Sequence, residues 1–147
     1  MTIRQIDRSL IAFFRRISVP FARLALFVIF FWFGTLKLIG LSPAGTLVHT
    51  LFDATLAGII SFGVFYTLFA LFEMLIGILF LIKGAERAVM PLLLIHMVTT
   101  ALPLFLLPSM TFTGTLVPTM EGQYIIKNLA LIAAAIGIVS HLHPLKK

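Results

Sequence analysis

Four apolar runs, each about as long as a bilayer's hydrocarbon core is thick, occupy more than half of this 147-residue chain. A core about 30 Å thick takes roughly 20 apolar residues in a helix. Residues 21–41, 62–82, 88–107 and 123–141 each supply such a run. Inside hydrocarbon every backbone N–H and C=O must find its partner within the protein, so a single run of this length is a helix. The predicted fold is all-α: one integral membrane domain, residues 1–147, built as a four-helix bundle. Composition agrees, with 61% hydrophobic residues, 11% charged residues and a mean hydropathy of +1.14. Soluble domains lie near half apolar and a quarter charged. The first run lacks a small-residue cleavage site and is long enough to span, so it reads as an anchor that stays. A short polar connection, Gly-Ala-Glu-Arg-Ala at 84–88, makes spans two and three a helical hairpin.

The net charge is +6, but its placement points to a membrane and away from nucleic acid. Arg4, Arg8, Arg15, Arg16 and Arg23 precede or open the first span, Lys83 and Arg87 flank the second loop, and Lys146 and Lys147 end the chain. Only Lys37 and Lys127 fall toward the other side. Cytoplasmic flanks carry the excess of lysine and arginine, so both termini are expected in the cytoplasm. Residues 2–18 have a pattern of their own. Ile3, Ile6, Leu10, Phe13, Phe14 and Ile17 recur at helical spacing, with the arginines opposite. This predicts an amphipathic interfacial helix on anionic lipids, with Pro20 turning the chain into the membrane. The first outer loop, 42–61, is expected to contain a short surface helix, and the second, 108–122, to consist of turns. With no cysteine, the chain has no disulfide, thiolate metal site or iron–sulfur cluster.

Ionisable side chains within a span cost about 2.5–3.5 kcal/mol each on insertion scales, so they usually face a partner or a wet cavity. Glu73 lies near the middle of span two; a carboxyl there either holds a proton or has a cation beside it. His96 lies at similar depth on span three, close enough across the hairpin to touch Glu73. One histidine and one glutamate make no metal site, and none is expected. Lys37 and Lys127 sit near the outer ends of spans one and four, where each can snorkel to the headgroups or turn inward. Gln123 with Lys127, and Tyr124 with Asn128, are four apart and stack on a helix face. Glu121 just ahead meets the helix N-terminus. Together Lys37, Glu73, Glu121, Tyr124, Lys127 and Asn128 are expected to form an internal charge network, with Lys127 the stronger partner of Glu73. Gly77, Ala130, Ala134 and Gly137 are small enough for close helix packing.

Three segments carry a resemblance. The first helix holds Trp32-x-Gly34-x-x-Lys37, the second Glu73 followed by Gly77, and the fourth opens with Gly122-x-Tyr124-x-x-Lys127-Asn128. From Arg23 to about Ser140 the chain resembles the DoxX-like superfamily, closest to its YkgB-like branch of small bacterial inner-membrane proteins. The resemblance adds Trp32 to the candidate site and Gly34 to the packing positions. It implies a bacterial inner-membrane protein and, since DoxX is named for a subunit of a thiosulfate:quinone oxidoreductase, a link to quinone redox or oxidative stress. Gln123 stands where some relatives carry arginine, and the first outer loop is shorter than in the YkgB pattern.

The favoured function is a membrane subunit or accessory of a redox system, with no catalysis of its own. This chain carries no cofactor motif, and quinone enters by the resemblance alone. Partners are then a redox protein or further copies of the chain. A small homo-oligomeric transporter or proton-linked channel, lined by Glu73, His96 and the lysines, is the alternative. A structural or assembly protein is the third reading.

Overall fold

The computed structural model of the chain describes residues 2–143; Lys146 and Lys147, which enter the charge count, lie outside them. In chain order the elements are α1 (Ile3–Leu38), α2 (Gly45–Thr55), α3 (Phe62–Leu81), α4 (Glu86–Ala101), α5 (Pro103–Leu106), α6 (Pro108–Thr111), β1 (Phe112–Gly114), β2 (Val117–Pro118) and α7 (Met120–Val139). Four helical stretches are long and apolar enough to cross a membrane: α1, α3, Glu86–Leu106 and α7. The chain is thus a multi-pass, all-α membrane protein with one small addition. The segment 108–122, expected to be turns, closes into an antiparallel pair of short strands after one helical turn.

The N-terminal half corrects an expectation. No separate interfacial helix ends at Pro20; the chain runs as one helix of 36 residues straight through that proline. Proline removes one backbone N–H and strains the preceding turn. Here Val19 and Ala22, on either side of it, both pack against the central core and hold the two halves in one helix. At 1.5 Å per residue α1 is about 54 Å long, well beyond a hydrocarbon core. Its first half projects from the packed bundle, with Phe13 and Phe14 more than half exposed.

The core is a column of Leu26, Phe30, Ile76, Phe80, Val89, Leu93, Met97, Ala135 and Ile138, drawn from all four long helices. Helices α1 and α3 make its closest interface because glycine faces backbone from both sides. A Cβ on Gly34 would stand 2.6 Å from the Met74 side chain and 2.7 Å from the Ala70 carbonyl. One on Gly77 would stand 2.9 Å from the Phe31 nitrogen. These contacts lock the register of two antiparallel helices: Gly34 is level with residues 70–74, and Gly77 with residues 27–31. Gly84, at φ +93°, makes the tight turn between α3 and α4. Small residues act differently on α7. Ala130 is exposed and Gly137 meets open space, so the helix packs through Ala134, Ala135 and Ile138.

Candidate functional site

The glycine-locked register brings three ionisable side chains together. Lys37 lies roughly level with Phe69, one turn from Glu73, so about 6 Å of depth separates them along the helix axis. A lysine stem spans that. Its ammonium donates to Glu73 Oε2 at 2.6 Å and lies 5.5 Å from the centre of the Phe69 ring. From α4, His96 Nε2 meets Glu73 Oε1 at 2.9 Å. All three residues are 7% exposed or less. The Phe69 ring stacks on the imidazole at 5.3 Å and 4°, and Phe30 meets it edge-on at 5.3 Å.

The network assigns the proton on the imidazole. A carboxylate that already accepts from an ammonium needs a second donor on its other oxygen, which His96 supplies as Nε2–H. Nδ1 is buried and without a partner. The triad thus joins an amine, a carboxyl group and an imidazole from three different helices.

This triad lines a cavity of about 470 Å³ at the end of the bundle that carries α2 and the strand pair. Its walls are mostly apolar: Ile29, Phe33 and Leu36 of α1, Phe65 and Phe69 of α3, Ile125 and Leu131 of α7. Leu47, Val48 and Leu51 of α2 form the roof. Thr99 and Thr100 add hydroxyls, and Asn128 donates its amide to Thr100 Oγ1 at 3.4 Å, tying α7 to α4. Glu121 and Tyr124 stand at the rim. They sit there because α7 starts hard against α6: a Cβ on Gly122 would run into the Thr111 carbonyl oxygen. Thr119 caps the helix by accepting from the Gly122 N–H at 3.2 Å.

Of the eight residues singled out in the sequence, six line this one cavity: Lys37, Glu73, His96, Glu121, Tyr124 and Asn128. Trp32 and Lys127 do not. Trp32 is 62% exposed on the outer side of α1. Lys127 is exposed as well, its ammonium 5.3 Å from the centre of the Tyr124 ring. The expected ranking of the lysines is therefore reversed: Lys37 holds Glu73, and Lys127 lies on the surface.

Sequence reading passed over a second buried pair. Arg23, counted only as a basic flank, pairs with Glu86 at the start of α4 and donates to the Phe80 carbonyl at 3.1 Å. Glu86 is 5% exposed. The signal was available in Gly77, which fixes how far along α1 the end of α3 falls. Phe69 and the α2 roof were likewise missed, since an aromatic in an apolar run carries no mark of its own.

Comparison with family models, with curated proteins and with solved structures gives no match.

Proposed function

We propose that this chain is a DoxX-like accessory subunit of a redox or quinone-linked system in a bacterial inner membrane, with both termini cytoplasmic. Its part is to hold a small apolar ligand in the outer half of the bundle. It performs no catalysis by itself. The observation that carries this reading is the convergence of the Lys37–Glu73–His96 triad and Asn128 on one largely apolar cavity. Binding sites for small organic molecules have this character: apolar walls, a few fixed polar groups, and a volume of about 300–1,000 Å³. A quinone fits such chemistry, with ring carbonyls to accept hydrogen bonds and an apolar tail. The projecting half of α1, with Arg4, Arg8, Arg15 and Arg16, is suited to anionic headgroups or to a partner's acidic surface.

The sealed imidazole favours binding over proton conduction. A relay through His96 needs a proton to enter at one ring nitrogen and leave at the other, and Nδ1 is buried without a partner. Purification in mild detergent tests the proposal. The expected result is a copurifying flavoprotein or dehydrogenase subunit; a homo-oligomer that carries no redox protein would sink it. Topology is tested separately: a cysteine at Thr113 should react with an impermeant reagent added outside, and one at Ala85 should not.

A further inference from the structure

We infer that the cavity is filled sideways from the bilayer, through the seam between α1 and α7, by an uncharged single-chain amphiphile with a hydroxyl or carbonyl head. The inference rests on the membrane-spanning, ligand-holding part of the reading above and is independent of any redox partner.

Three observations carry it. The first is the roof. α2 closes the loop end with Leu47, Val48 and Leu51, the last 9% exposed, and is pinned by Phe52, which is 5.4 Å from Phe62 and 5.2 Å from Phe65 between ring centres. The cavity side of this lid is therefore apolar, while His49 and Asp53 of the same helix are exposed. The second is the position of the mouth. The strongly exposed side chains among those lining the cavity mark where it opens, and they belong to α1 and the segment after it, or to the first turns of α7. Phe33 is 51% exposed, Met120 62% and Tyr124 61%. Leu26 and Phe30 of α1 and Ala135 and Ile138 of α7 share the core lower down. Nearer the loop end, Phe33 and Leu36 face the cavity from one helix, and Tyr124 and Asn128 from the other. The seam is closed toward the middle of the bundle and open toward the loop end, within the apolar membrane-spanning stretches of α1 and α7.

The third observation is charge. Lys37 is matched by Glu73, and His96 Nε2 meets the other oxygen of the same carboxylate. That leaves Glu121, an exposed carboxylate, as the unmatched charge on the cavity wall. A carboxylate or phosphate head would be repelled at the rim and would find no free cation inside. Hydrogen-bonding groups remain for a neutral head: further ammonium hydrogens on Lys37, the Thr99 hydroxyl oxygen as an acceptor, its hydrogen being donated to the Ile95 carbonyl, and the Asn128 amide groups not used on Thr100.

The experiment uses the full chain in lipid nanodiscs and two photoactivatable probes, a long-chain alcohol bearing a diazirine in its chain and the matching fatty acid. Crosslinks are mapped by peptide mass spectrometry. The alcohol should label Ile29, Leu36, Ile125 and Leu131 at least five-fold more than the fatty acid does, while both label the lipid-facing Leu68 and Val98 alike. Leu36→Trp should reduce the cavity crosslinks at least five-fold and leave Leu68 and Val98 unchanged. Glu121→Lys, a surface change that leaves the core intact, should raise cavity labelling by the fatty acid to the alcohol's level. Crosslinks confined to Leu68 and Val98 would overturn the inference, and equal cavity labelling by both probes in the unaltered chain would overturn the uncharged head. A positive labelling result without any copurifying redox protein would refute the redox assignment alone.

Discussion

Two buried ion pairs sit at opposite ends of this bundle, and their neighbourhoods separate them. Lys37–Glu73 and Arg23–Glu86 each join α1 to a carboxylate that is 5% exposed. Arg23 also donates to the Phe80 carbonyl, so it binds the end of α3 and the start of α4 in one grip. That pair does not line the cavity. Lys37–Glu73 instead forms part of a cavity wall, with His96 attached and donors to spare. The same chemistry thus serves as a clamp where the packing around it is closed, and as a site where space lies beside it. Charge composition alone does not distinguish a working group from a staple in a membrane protein; the adjoining volume does.

The largest effect should come from breaking the site pair. Glu73→Gln or Lys37→Met leaves one charge buried without its partner, a loss of about 3–5 kcal/mol, measured by thermal unfolding in mild detergent. The double variant should recover much of that loss, because coupled neighbours are non-additive. Strict additivity would break the pairing. Next in size is the clamp. Arg23→Met or Glu86→Gln should cost toward the lower end of the same range, about 3 kcal/mol, since the Arg23 side chain is 13% exposed. These variants should leave alcohol labelling of the cavity unchanged, whereas Glu73→Gln should weaken it. A clamp variant that empties the cavity would erase the distinction between the two ends. The smallest effect belongs to Lys127→Met, at under about 1 kcal/mol, as for exposed charges. A coupling of Lys127 with Glu73 as large as that of Lys37 would return the network to the arrangement read from the sequence.

Much of the fold was legible in one dimension because lipid imposes a simple rule: a run of the right length and apolarity has to be a helix. The expected spans at 62–82 and 88–107 match α3 and the Glu86–Leu106 stretch to within about two residues, an ordinary uncertainty for helix ends. The expected short helix in 42–61 is α2. Pro20 misled, because a proline's local cost is outweighed when apolar neighbours on both sides pack into one core. Within the site, Glu73 and His96 were legible as a contact, since a tight hairpin puts equal depths on adjacent helices. The choice between Lys37 and Lys127 was not, because counting from span ends left each lysine roughly 10 Å from the carboxylate.

By itself the sequence determined that this chain is made for lipid, that four long apolar helices carry it, and that Glu73 and His96 need polar company. Those follow from the cost of desolvation, which each residue bears wherever its neighbours are. Only the tertiary structure decided which cation answers Glu73, that Arg23 and Glu86 form a second buried pair, and that α2 roofs a cavity. Each of these depends on interhelical register to within a single turn. Gly34 and Gly77 set that register by letting backbone touch backbone, a contact whose partner no single segment can name.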